Sequence, residues 1–393
     1  MKAITIDFSS FIPAVGKKAP MILPANKRGK MDITFFVLVL TLLCVGLVML
    51  FSASHAYAFY NEGNSFHYII RQSVFAVGGV FLMTVISNFN LKFIQRFALA
   101  GYLGAMALLL FADLFMRDQY GFARWIYVGG FSFQPSEIAK FAIILLFAHM
   151  AATNAERMKT FQYGVVPFGF ALGLMALLVI WSRHLSGTII IGALGVAMLW
   201  FGGAKLKYFL LLLGIGAAGV LLIIIFPQFM AYTGDRVAVW LDPYAYYHQG
   251  GFQTIQALIA IGSGGIWGVG LGNSRQKYLY IPEPQNDFIF PVVCEELGFI
   301  GATIILILFA LLVARGYMIA MRCPDKFGSL LAAGCVTHIG LQVILNIAVV
   351  TNTIPNTGIS LPFFSYGGTA LLMVLAEMGV VLAVSRKSSI QKS

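Results

Sequence analysis

A polar run interrupts an otherwise hydrophobic chain near its C-terminal third. It begins at Gly262-Ser-Gly-Gly265, passes through Pro282-Glu-Pro-Gln-Asn-Asp-Phe-Ile-Phe290 and ends at Glu295-Glu-Leu-Gly298. Asp287 stands where this loop is about to enter an apolar helix. A carboxylate at such a boundary, partly desolvated, can accept a proton as a general base. An N-cap competes for the same residue, because the macrodipole favours an ionised acid at a helix start. Spacing alone leaves the two roles level.

Basic residues share this part of the sequence. Arg236, Arg275 and Lys277, with Arg124 and Arg183 on other loops, have the chemistry to clamp a pyrophosphate, Arg as a planar fork and Lys as a point charge. Anchoring at the membrane surface is the plainer role for any one of them. Glu137 and Lys140 lie at i,i+3 behind Pro135, on one face of a helix start. Ionisable groups at the centre of a span cost about 2.5–3.5 kcal/mol each on the insertion scale, so they form an internal ion pair or face a polar cavity. Glu295 and Glu296 pose the same problem about two turns into a later apolar run, 288–314. Gln253, Glu296, Asn356 and Ser365 are the expected cavity lining.

The elements that position these groups are membrane helices. The chain of 393 residues is 59% hydrophobic and 10% charged, more apolar surface than a soluble fold can hide. Runs of roughly 20 apolar residues give ten spans, at about 32–53, 69–87, 97–115, 136–153, 161–181, 187–203, 207–226, 288–314, 327–350 and 363–385. The expectation is an all-α polytopic membrane protein in three parts. Residues 1–31 form a cytoplasmic tail, 32–385 a single membrane domain, and 386–393 a second cytoplasmic tail. Lys and Arg recur on alternate connections: Lys27 to Lys30, Lys92 and Arg96, Arg157 and Lys159, Lys205 and Lys207, Arg315 to Lys326, Arg386 and Lys387. The positive-inside rule places these in the cytoplasm, so the long loop 227–287 between spans seven and eight, with Asp287, faces outward. Most of the net charge of +11 follows from the same rule.

Other signals are weaker. Residues 252–261 read as a short helix ended by glycines. Gly268-Val-Gly-Leu-Gly272 is a fragment of a dinucleotide fingerprint without a βαβ unit, so tight turning explains it better than nucleotide binding. The four cysteines and the histidines at 55, 67, 184, 248 and 338 show no metal-ligand spacing. Ala56-Tyr57-Ala58 follows an apolar run too long for a signal peptide, so the first helix is expected to stay uncleaved.

Taken together, the motifs resemble the bacterial SEDS family (shape, elongation, division and sporulation). The resemblance rests on Arg124-Trp-Ile126, Gln134-Pro-Ser-Glu-Ile-Ala-Lys140, Leu241-Asp-Pro243, Gly268-Val-Gly-Leu-Gly-Asn-Ser-Arg-Gln-Lys277, Pro282 to Phe290, and Leu361-Pro-Phe-Phe-Ser-Tyr-Gly-Gly368. The wording is closer to the FtsW division type and its sporulation relative than to the RodA elongation type. Three departures stand out: Asn286 where Thr is common, Pro291 where Ala is usual, and His184-Leu-Ser-Gly-Thr188 in place of an acidic element.

The resemblance implies a peptidoglycan glycosyltransferase that polymerises lipid II at the outer face of the bacterial cytoplasmic membrane, at the division septum. It implies a class B penicillin-binding protein as transpeptidase partner within the divisome, no nucleic acid, and a divalent cation, Mg or Mn, as cofactor. The family's essential aspartate falls on Asp287. Arg236, Arg275, Lys277 and Lys140 are then expected to stabilise departing charge, with Arg124 and Glu137 also at the pyrophosphate site. Two rivals remain at this stage, a lipid II flippase and a non-catalytic scaffold. A flippase needs ionisable residues near the midplane, whereas polar density here gathers at the outer boundary.

Overall fold

A helix that is hydrophobic all round, rather than along one stripe, belongs where its outer surface meets lipid. The computed structural model describes residues 29–117, 122–128, 131–212, 214, 216 and 231–388, and its long helices have this character. The helices before the long loop are α1 (Ile33–Glu62), α2 (His67–Ile86), a short α3 (Leu91–Arg96), α4 (Ala98–Phe115), α5 (Pro135–Thr153), a short α6 (Phe161–Gly164), α7 (Val166–Trp181) and α8 (Leu185–Phe201). After the long loop come α9 (Ala231–Leu241), α10 (Gly251–Ser263), α11 (Ile289–Met321), α12 (Lys326–Val350) and α13 (Gly368–Ser388).

Among the described residues eight helical stretches, with α6 and α7 taken as one, are long and apolar enough to cross a bilayer, and α8 is a shorter ninth. The span expected over 207–226 lies largely outside the described residues. On α2, Val74, Val77 and Phe81 turn large apolar side chains outward, as lipid contact requires. The protein is an all-α polytopic membrane protein whose α5 and α12 lie at the centre of the bundle.

Hydrogen bonds sort the connections onto two faces. The Asp32 N–H donates to Ser385 Oγ at 3.1 Å, joining the start of α1 to the end of α13. Asp32 also pairs with Arg315 at 2.8 Å, and Asp325 with Lys387 at 3.1 Å. This face therefore carries both described ends of the chain and the basic connections. On the opposite face the Tyr366 N–H donates to the Gln285 carbonyl at 2.8 Å, and Trp240 Nε1 to the Asn352 carbonyl at 3.0 Å. The loop carrying Asp287 is thus across the membrane from the ends.

Several expected boundaries shift for local reasons. α1 runs on to Glu62 because no breaker intervenes before Gly63, whose left-handed φ of 68° closes the helix on the Phe59 carbonyl. The fifth span breaks at Val165, and α7 restarts with Pro167 in its first turn. The tenth span begins at Gly368 rather than 363. Residues 361–367 instead fold inward, their Phe363 carbonyl lying so close to Gly46 that a Cβ there would sit 2.3 Å from it. The loop after α4 contains a hairpin that hydrophobic pattern did not reveal, β1 (Ile126–Val128) antiparallel to β2 (Phe131–Phe133) with Tyr127 opposite Ser132.

Candidate active site

Pro135 starts α5 where hairpin meets bundle, and α11 starts just after Asp287, so helix beginnings from distant sequence converge at one depth. Between them lies a cavity of about 830 Å³ on the face away from the chain ends. Its walls come from α2 (Arg71, Phe75), the segment leading into the hairpin (Arg124, Trp125), α5 (Glu137, Lys140), the α7–α8 turn (His184), α9 (Arg236), the Asn286–Asp287 loop and the segment before α13 (Gly358, Tyr366).

Asp287 is held by its backbone, leaving the carboxylate for other work. Asn346, fully buried on α12, donates from Nδ2 to the Asp287 carbonyl at 2.8 Å and to the Ile359 carbonyl at 2.6 Å. One side chain thus locks the Asp287 loop to the 357–360 segment. Gly358, at φ +71°, lets that segment come close: a Cβ there would stand 3.3 Å from Asp287 Oδ2. Burial raises the Asp287 carboxyl above its ordinary value, while a backbone hydrogen bond and Arg236 work against the rise and Glu283 adds to it. The result is a carboxylate with raised proton affinity beside a cation, the character of a general base. The N-cap role fails in this structure, for α11 has Phe288 at its N-cap and no side-chain cap hydrogen bond.

Basic side chains share the cavity with it. Lys140 and Glu137, both buried, form an ion pair of 2.7 Å on the cavity wall. Arg236 Nη1 donates to the Asn356 carbonyl at 2.5 Å, and Arg124 Nη2 to the Arg183 carbonyl at 2.7 Å, so backbone carbonyls aim two guanidinium groups at the cavity wall. Arg71 also lines the cavity, with an exposed side chain and no ion pair among the described residues. Sequence reasoning missed it. Within an apolar span, an arginine one turn from the outer end was the available signal. His184 lines the cavity where the acidic element is replaced; burial, with Arg124 adding, pushes it down to about 3, so it is a neutral hydrogen-bonding group.

Six expected site residues need correction. Lys277 and Glu296 were assigned to the substrate and the cavity, yet they pair with each other at 2.8 Å with no exposed side-chain surface. Ser52 of α1 bridges them, its Oγ donating to Glu296 at 2.7 Å and accepting from Lys277 Nζ at 3.2 Å. Arg275 is exposed outside the cavity; its N–H donates to Glu295 Oε1 at 3.0 Å, and Ser274 Oγ donates to Glu295 Oε2 at 2.5 Å. Ser365 is buried beside the cavity rather than in its wall, accepting the Leu361 N–H at 2.8 Å. Gln253 and Asn356 also stand behind the wall, in a 3.4 Å contact with each other.

The glycine-rich run explains why. α11 breaks at Gly298 (φ 67°, ψ −171°), and the 265–270 segment is spliced into the gap. Val269 and Gly270 N–H groups donate to the Glu295 and Glu296 carbonyls, while Phe299 and Ile300 donate to the Gly265 and Ile266 carbonyls. The backbones approach so closely that a Cβ on Gly268 would lie 2.2 Å from the Glu296 carbonyl oxygen. The splice satisfies groups orphaned by the break, which in lipid would otherwise cost several kcal/mol each. The run is a frame that presents Asp287, and tight turning was the right reading of Gly268 to Gly272.

Among the described residues no three His, Cys, Asp or Glu side chains converge as metal ligands. In the cavity the one carboxylate besides Asp287 is Glu137, already committed to Lys140. These two carboxylates do not by themselves build a protein-held divalent site among the described residues.

Comparison with known proteins agrees with this architecture. The family model for cell cycle proteins of the FtsW, RodA and SpoVE type matches residues 32–390. Stage V sporulation protein E of Bacillus subtilis is 40% identical over 92% of this chain and 99% of its own length. A probable peptidoglycan glycosyltransferase FtsW of Geobacter sp. (strain M18) is 36% identical over 91% of this chain and 97% of its own. Among solved structures, a chain from work on the structural coordination of polymerization and crosslinking by a peptidoglycan synthase complex superposes with a TM-score of 0.74. It is 27% identical and covers 91% of this chain and 98% of that one. The Thermus thermophilus rod shape determining protein RodA shares the fold, with a TM-score of 0.66 at 24% identity over 91% of this chain and 97% of that one. With the family match spanning nearly the whole membrane domain, the chain belongs to the FtsW/RodA/SpoVE family of cell cycle proteins, the SEDS family its motifs resemble.

Proposed function

We propose that this protein is a peptidoglycan glycosyltransferase that polymerises lipid II at the outer face of the cytoplasmic membrane. The observation that carries the reading is the sharing of one outer cavity by Asp287 with Arg71, Arg124, Lys140 and Arg236. Asp287 takes the proton from an acceptor sugar hydroxyl as its oxygen attacks the anomeric carbon of the donor. The bond from that carbon to the pyrophosphate oxygen breaks, inverting the centre, and undecaprenyl pyrophosphate leaves with the electron pair. Fixed cations facing the departing charge stabilise it most at the transition state, where it develops. Lys140, already paired, adds charge without needing to be gathered at the moment of reaction.

The basic face carrying the chain ends is cytoplasmic by the positive-inside rule, so the cavity opens outward, toward the wall. Relatedness to FtsW and to a chain of a peptidoglycan synthase complex supports a class B penicillin-binding protein as partner and the division septum as its place. One observation speaks for transport: His338 and Glu377 form a buried 2.8 Å pair midway along α12 and α13. Both side chains are sealed from solvent and neither lines the cavity, so they build no site reachable from two faces. The test is purified protein with its transpeptidase in lipid II vesicles. Glycan strands are expected; movement of lipid II between leaflets with no strand formed overturns the reading.

A further inference from the structure

The outer face carries a second groove, of about 470 Å³, lined by Tyr247, His248, Gly250, Phe252, Gln253 and Pro282. That volume is within the roughly 300–1,000 Å³ usual for small-ligand sites. Its chemistry differs from that of the cavity, because no lining residue is a carboxylate, lysine or arginine. The Tyr247 ring meets Phe252 edge-on at 5.3 Å and His248 edge-on at 5.2 Å, which fixes an aromatic wall. His248 and Gln253 place hydrogen-bonding groups along its edge. A pyranose has the matching duality: apolar C–H faces that pack on rings, and a rim of hydroxyl and N-acetyl groups that need donors and acceptors.

Groove and cavity share a partition. Asn356 Nδ2 lies 3.4 Å from Gln253 Oε1 on the groove side, and the Asn356 carbonyl accepts Arg236 of the cavity wall at 2.5 Å. Pro282 opens the short segment that ends at Asp287. Asn356 thus touches one lining residue of each, which puts groove and cavity side by side. A lining without formal charge suits neutral sugar and would offer little to a pyrophosphate.

We propose that the groove is a subsite for N-acetylhexosamine units of the glycan strand, holding the saccharide beside the cavity while the next transfer occurs at Asp287. The proposal rests on the glycosyltransferase reading and involves no bond made or broken. It assigns Tyr247, His248 and Phe252 a role in strand retention rather than in catalysis.

The test uses the full chain with its transpeptidase and the variants Tyr247→Leu and His248→Ala, both at exposed side chains. Three quantities are read: the rate of the first bond between two lipid II molecules, the length distribution of strands, and binding of a soluble hexasaccharide of alternating N-acetylhexosamines. The first-bond rate should stay at wild type while strands shorten and hexasaccharide binding weakens about tenfold, about 1.4 kcal/mol. Unchanged lengths and binding overturn the proposal. So does loss of transpeptidase binding at unchanged length, which assigns the groove to a protein partner. Were wild type to form no strands yet bind the hexasaccharide through Tyr247, the glycosyltransferase reading would fall and the subsite would stand.

Discussion

Two lysine–glutamate pairs lie buried in this protein at nearly equal length, 2.7 Å for Lys140–Glu137 and 2.8 Å for Lys277–Glu296. The first borders the cavity beside Asp287. The second is sealed against Ser52 beneath a spliced backbone. Chemically they are the same pair, and in the sequence both lysines read as candidates for pyrophosphate. Their difference comes from where the backbone opens, so function here follows access to the cavity and not charge alone.

The largest effect that separates them is on folding. Lys277→Ala leaves Glu296 as an unpaired buried charge, expected to cost about 3–5 kcal/mol. Detergent-solubilised protein should lose most of its thermal stability, and activity should fall only with the folded fraction. The double change Lys277→Met with Glu296→Leu removes both charges and should recover much of the loss. A Lys277→Ala protein that keeps wild-type stability but cannot polymerise would return this lysine to the active site.

Lys140→Met should do the opposite. With Glu137→Gln to remove the partner charge, the protein should fold, and kcat should drop about 10²–10³-fold, as for loss of one transition-state donor. Arg71→Ala should show a loss of the same kind, read in kcat at saturating lipid II. Equal loss of stability in both lysine variants would erase the distinction.

Sequence made one half of this comparison legible. Apolar run lengths placed seven of nine spans within about five residues, while α1 and α11 run on further, to Glu62 and Met321; alternating basic connections put Asp287 opposite the chain ends, because lipid leaves a helix little choice of orientation. Asp287, Arg124, Glu137, Lys140 and Arg236 were singled out, and all line the cavity. Lys277, Glu296 and Arg275 were misplaced for a definite reason. Their roles depend on the break at Gly298, and a broken helix has the same hydrophobic pattern as an intact one. The hairpin at 126–133 escaped for a related reason, since three-residue strands are too short to show alternation.

The frame itself yields a smaller effect. Gly268→Ala puts a methyl into the Glu296 carbonyl and holds alanine at φ +78°, a strain on the order of 1–3 kcal/mol. It should lower thermal stability and strand synthesis together. Gly78→Ala, where a Cβ meets nothing within 4 Å, should change neither.

The smallest effect concerns pH. As a base, Asp287 works only ionised, so the rate falls as pH drops through its raised pKa. Glu283 contributes to that rise. Glu283→Gln should therefore move the acidic limb of kcat to lower pH, while Arg236→Gln should move it higher and lower the plateau. A limb that ignores both changes would mean that another group governs it.

The central claim is that strands are made in the outer cavity at Asp287. Its most direct test is lipid II polymerisation by the purified full chain with its transpeptidase, wild type against Asp287→Asn, with equal folding and partner binding verified. The expected result is strand synthesis by wild type and a loss of about 10²–10⁴-fold in the variant, the contribution of a positioned base. Strands formed by Asp287→Asn at the wild-type rate would contradict it.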